Sequence, residues 1–164
     1  MRWTIVLMTV LGALLLVPTG VALADDNSVY GAYVSRDADF AKLGKQVRRG
    51  VKTWKQSGYK RPKPLLRALG KLAKACDQLT TVIKAEQASS DHGAKAKAAA
   101  IASVHWLGKS AVTTAKGVRA ATHKHKGRAR KLARQADRYL DRSLKKEKEA
   151  RREFKAAGVQ IKNG

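Results

Sequence analysis

Leu65, Leu69, Leu72, Cys76, Leu79 and Ile83 recur at alternating spacings of four and three residues, and nothing else in the chain limits its fold as tightly. At the helical angle of about 100° per residue these positions share one stripe, whereas a strand would send them to both of its faces. Three other segments carry stripes of the same kind. The first holds Phe40, Leu43, Val47, Val51 and Trp54; the second Ile101, Val104, Leu107, Ala111, Ala115, Val118 and Ala121. The third holds Leu132, Ala136, Leu140, Ala150 and Phe154, with Ala129, Tyr139 and Leu144 beside them. Glu147 falls on this last stripe, where a carboxylate is out of place and suggests fraying near an open end. No strand-like alternation of apolar and polar residues stands out.

The breaks between the stripes carry their own chemistry. Ser35 is placed to cap the first helix, with Asp37 and Asp39 in its first turn, where carboxylates favour the helix dipole. Ser57-Gly58 and the run Arg61 to Pro64 end that helix, and the prolines suit the first turn of the next. Residues 87–92 form a polar loop in which Ser89, Ser90 or Asp91 caps the third helix. Gly108 and Gly117 within that helix either weaken it or mark a close backbone approach. His123 to Gly127 separates the third helix from the fourth, with Gly127 as its only breaker, so a single continuous rod is the rival arrangement. Gly158 ends the fourth. Four amphipathic helices joined by short connections predict an all-α, antiparallel four-helix bundle in up-down-up-down order over residues 35–158. Residues 25–34 are a lead-in with no readable period, and residues 159–164 a tail.

Residues 1–24 read as a secretory signal peptide. Arg2 precedes an uncharged apolar run, Pro18 and Gly20 break it, and Ala22-Leu23-Ala24 offers small residues where a signal peptidase reads. Cleavage after Ala24 makes the protein secreted, extracellular or periplasmic; an uncleaved N-terminal membrane anchor is the alternative. Cys76 is the one cysteine, so no disulfide can form within the chain and the core must hold the fold alone. Its place on a helical stripe predicts a buried thiol, against a rival reading of pairing between two chains.

Charge is the second constraint. The chain has 35 Lys and Arg against 12 Asp and Glu, a formal net charge of +23. Self-repulsion of that size is tolerated best where a polyanion neutralises it. The acids are also segregated: none lies between Asp39 and Asp77, and none between Asp91 and Asp137. Each acid-free window is centred on a connection between helices, and in an up-down-up-down bundle the first and third connections share an end. That end would gather Lys60, Arg61, Lys63, Arg67, Lys116, Arg119, Lys124, Lys126, Arg128, Arg130, Lys131 and Arg134, together with Lys55. Such an array suits nucleic acid phosphates, anionic glycans or cell-wall polymers, or an anionic lipid surface, because the fields of many like charges add. Trp106 lies about 200° around its helix from Val104. It is either a contact aromatic or is covered by Val29, Tyr30, Tyr33, Val159 or Ile161.

Catalytic patterns are missing. There is no Glu-x-x-His pair, no paired Cys/His spacing for zinc, no glycine-rich phosphate loop and no Gly-x-Ser-x-Gly elbow. His123-x-His125 is flanked by Lys124 and Lys126, whose charge opposes a bound cation. The sequence therefore gives no cofactor, no metal site and no small-molecule substrate, and argues against an enzyme. A membrane-active cationic helical protein, or one that binds or inhibits an acidic protein partner, are the alternatives to polyanion binding. No motif ties the chain to a known family.

Overall fold

The computed structural model describes residues 24–161, and the expected signal peptide and its cleavage site lie outside the residues whose side chains are described. The fold is all-helical: α1 (Ala24–Val34), α2 (Asp37–Gln56), α3 (Lys63–Ala85), α4 (Asp91–Thr122) and α5 (Lys126–Ala156). Among the described residues there is no strand. The four helices α2 to α5 pack against one another, each on its neighbour in the chain.

Helix α3 forms as its spacing requires. Leu65, Leu69, Leu72, Cys76, Leu79 and Ile83 are all buried, joined by Ala68 and Ala75. Burial pushes the Cys76 thiol up to about 12, assisted by the neighbouring Asp77 charge, so the group stays a neutral core thiol. On α2, Phe40 and Val47 are buried, and so are Gly44 and Gly50, while Leu43, Val51 and Trp54 are half-buried. The reason is close approach. A Cβ placed on Gly50 would lie 2.7 Å from Leu65 Cα, so the two backbones meet where the sequence has no side chain.

Helix α4 packs against both α3 and α5. A helix with partners on two sides must bury much more than one stripe, and α4 does so with small residues. Ala96, Ala99, Ala100, Ser103, Gly108, Ser110, Thr113 and Gly117 are buried beside Val104, Ala111, Ala115 and Val118. The buried serine hydroxyls find backbone partners, as buried polar groups must. Ser103 Oγ donates to Ser143 O at 3.0 Å and Ser143 Oγ to Ser103 O at 2.9 Å, while Ser110 Oγ donates to Ala136 O at 2.9 Å.

Several sequence expectations need correction. Residues 24–34 form a helix, with Val29, Ala32 and Tyr33 buried and the Tyr30 and Tyr33 rings against Phe154. Ser35 does not cap α2. Its hydroxyl donates to Ala32 O at 2.7 Å, closing α1, and α2 begins after Arg36. Ser90 caps α4, accepting from the Gly93 amide at 2.9 Å. The chain turns between α4 and α5 at Lys124, which has φ 62°, while Gly127 lies inside α5. The helices are therefore not one rod. Glu147 is buried rather than frayed, and Arg151 pairs with it at 3.1 Å from one turn further along. Gly158, at φ 80°, ends α5, and Val159 folds back into the core.

Candidate anion-binding surface

Two turns bring the basic residues forward, and both use left-handed backbone. After α2, Gly58 and Tyr59 have φ 61° and 66°. The Tyr59 amide donates to Trp54 O at 2.8 Å, the Trp54 indole Nε1 donates to Tyr59 O at 3.0 Å, and the two rings meet edge to face at 5.0 Å. Ser57 Oγ accepts from the Arg61 amide at 3.0 Å. The segment is a bonded turn that presents Lys60, Arg61 and Lys63. After α4, the Lys124 and His125 amides donate to Ala121 O and Ala120 O at 3.1 and 2.9 Å. A lysine in the left-handed region costs about 1–2 kcal/mol relative to glycine.

All twelve residues expected in the patch are exposed: Lys60, Arg61, Lys63, Arg67, Lys116, Arg119, Lys124, Lys126, Arg128, Arg130, Lys131 and Arg134. Among the described residues none of their side chains takes part in a hydrogen bond or an ion pair. The first ten residues of α5 bury no side chain completely, and the first fully buried one is Ala136.

The carboxylates that make ion pairs or side-chain hydrogen bonds among the described residues lie elsewhere. The ion pairs His92–Glu153, Lys146–Glu149, Arg151–Glu147 and Arg152–Glu153 span 2.7 to 3.1 Å. Hydrogen bonds from His92 and Arg152 hold Glu153 below the usual carboxylate range. Burial pushes Asp26 up, but Ser90 Oγ and the Ser89 and Ser90 amides outweigh it, and its carboxyl sits below its ordinary value. Gly93 leaves the room: a Cβ there would fall on the Asp26 carboxylate. Asp37 goes the other way, since burial and the Glu147 charge raise it to about 7 against the opposing pull of Arg151.

Trp106 is neither bare nor covered by the residues the sequence suggested. Val29, Tyr30 and Tyr33 pack in the core with Phe154, and Val159 and Ile161 also lie at the core. Instead Trp106 is half-buried and stacks on Tyr139 of α5, with ring centroids 5.3 Å apart. Lys109 Nζ and the Arg142 guanidinium lie 4.8 and 4.9 Å from its ring centre, each a cation–π contact. The sequence held part of the signal, because Lys109 follows Trp106 by three residues along α4, whereas the Arg142 contact crosses from α5 and depends on how the two helices meet. What hid it was the assumption that α4 has only one covered face.

His123 and His125 are both exposed, and among the described residues no three His, Cys, Asp or Glu side chains gather as metal ligands would. No helix among the described residues is long and apolar enough to cross a membrane. Comparison with protein-family models, with curated proteins and with solved structures finds no match to the chain.

Proposed function

We propose that this chain is a secreted, strongly basic helical protein, without catalytic activity, that binds a polyanion through the end of its bundle containing the turns at 57–62 and 123–125. The observation that carries the reading is the division of charge. Twelve cations around those turns are exposed with no partner, whereas the ion pairs among the described residues all involve residues 92 and 146–153. Unpaired cations in water lose little by being left alone, but together they attract a multivalent anion and release its counterions on contact.

The up-down-up-down order is part of the same proposal, since it brings the two turns to one end. Register supports it. Arg36 reaches Gln78 while Gly50 meets Leu65. Lys97 reaches the carbonyls of Lys84 and Glu86, while Gly108 lies against Cys76. His92 pairs with Glu153, Ser103 with Ser143 and Ser110 with Ala136. In each pair of helices the numbers fall along one as they rise along the next, as antiparallel neighbours require. Secretion rests on the composition of residues 1–24 and on cleavage after Ala24.

Charge reversal tests the localisation. One set changes Arg61 and Lys63 to Glu, a second Lys124, Lys126 and Arg128, and a control Lys95, Lys145 and Lys148, which are exposed and unpaired. Affinity is read against DNA, a heparin-like glycan, a wall phosphate polymer and anionic vesicles at several salt concentrations. Both end sets should weaken binding to the favoured ligand. Each should also flatten the slope of log K against log salt, by about 0.7–0.9 for every nucleic acid phosphate that is no longer neutralised. Equal losses in the control would leave only a diffuse polycation.

A further inference from the structure

Between α2 and α3 runs a groove lined by Gln46, Arg49, Gly50 and Thr53 on one side and Pro64, Arg67 and Ala68 on the other. These are positions i, i+3, i+4 and i+7 of α2 facing i, i+3 and i+4 of α3, so the lining follows from helical register. The close approach of Gly50 to Leu65 sets the floor, which is small and apolar: buried Gly50 and Ala68, with exposed Pro64 at the edge. The rim is polar, with exposed Arg49 and Arg67 on opposite walls and the Gln46 amide and Thr53 hydroxyl beside them. Neither arginine side chain makes a hydrogen bond or ion pair among the described residues, and no acid occurs in the chain from 40 to 76.

We infer that this groove is a discrete site for a phosphomonoester, the doubly charged phosphate borne by a sugar or similar small group. Two guanidiniums with no carboxylate to neutralise them match a dianion better than a singly charged sulfate ester or phosphodiester. A phosphomonoester carries close to two charges at neutral pH because its second pKa is about 6. Amide and hydroxyl donors on the rim supply further hydrogen bonds to its oxygens, and the apolar floor takes the carbon skeleton. The space, about 240 Å³, is smaller than the roughly 300–1,000 Å³ of pockets for drug-sized ligands, which suits one small phosphorylated unit. The inference rests on the polyanion reading in one respect: Arg67 belongs to both surfaces, so the groove can seat a phosphorylated terminus while the basic end holds the rest of a polymer.

The full chain is titrated by calorimetry with glucose 6-phosphate and with glucose 6-sulfate at constant ionic strength. Saturable binding of the phosphate is expected, with the sulfate several-fold weaker. Arg49→Gln and Arg67→Gln should each weaken the phosphate about tenfold, as the loss of one charge-assisted hydrogen-bonding partner implies. Arg48→Gln removes the same charge one residue outside the lining and should change affinity less than twofold. Amide shifts of the unaltered chain, centred on Gly50 and Thr53, locate the site without relying on a variant. No saturable binding, equal affinity for sulfate and phosphate, or equal losses from Arg48→Gln and Arg49→Gln would each overturn the assignment. A short oligonucleotide with and without a 5′-phosphate separates a polymer end from a free sugar phosphate as the source of the group. A long polyanion titrated in parallel keeps the two readings apart. If it binds and glucose 6-phosphate does not, the groove falls and the basic end stands; the converse leaves the groove and removes the basic end.

Discussion

Asp26, Glu147 and Glu153 are buried and bonded, while the cations around the turns at 57–62 and 123–125 are exposed and unbonded. The first region, where α1 meets the start of α4 and the end of α5, also contains the aromatic cluster of Tyr30, Tyr33 and Phe154. The second has left-handed Tyr59 and Lys124 in its turns. Buried charge must be paired or hydrogen-bonded, so carboxylates in the first region are spent on holding the fold. Among the described residues the side chains of the cations in the second region make no hydrogen bond or ion pair, which leaves them available to a ligand.

The contrast breaks most visibly if core and surface are exchanged by mutation. Phe154 is fully buried, and Phe154→Ala should cost about 3–5 kcal/mol in denaturant unfolding. Charge reversal at Lys124, Lys126 and Arg128 should leave that stability within about 0.5 kcal/mol while weakening polyanion binding. A large loss of stability from the reversal would mean the cations support the fold after all.

Asp37 makes the stability of the first region depend on pH. Its folded pKa of about 7 lies above its ordinary value of 3.8, so the folded chain holds the proton over that interval. The unfolded chain binds fewer protons there, and this group's contribution to stability declines as pH rises from about 4 through about 7. Asp26 and Glu153 oppose it, because their lowered values add stability that is lost as pH falls. Asp37→Asn isolates the effect. Thermal melts should show the difference in stability, wild type minus variant, falling as pH rises from 4 to 8. A flat difference would show that Asp37 titrates as it does in the unfolded chain.

The smallest expected effect is at Lys124. Glycine adopts φ 62° without penalty, so Lys124→Gly should raise stability by about 1 kcal/mol and weaken polyanion binding slightly. Destabilisation by glycine would mean that the lysine side chain supports the turn.

Much of this was legible in the sequence, unevenly and for physical reasons. The stripe Leu65 to Ile83 was plain because α3 buries large side chains at one helical period. Helix α4 was read less completely because alanine, serine and glycine carry little hydrophobic signal and α4 is covered on two sides. That second covered face is where Trp106 meets Tyr139. The lead-in was opaque because α1 has almost no amphipathic pattern and is held by single contacts such as those of Asp26 and Tyr30. Acid segregation was directly readable. The Arg49–Arg67 groove was not, since it depends on the register of two helices rather than on either alone.

If a polyanion binds as proposed, it covers the cations of one end and leaves the others in water. Lysine acetylation footprinting, with and without a saturating anionic ligand, reads this residue by residue in the unaltered chain. Lys60, Lys63, Lys116, Lys124, Lys126 and Lys131 should be strongly protected, and labelling of Lys95, Lys145 and Lys148 should be unchanged. Equal protection of both groups, or protection of the second group alone, would contradict the proposal.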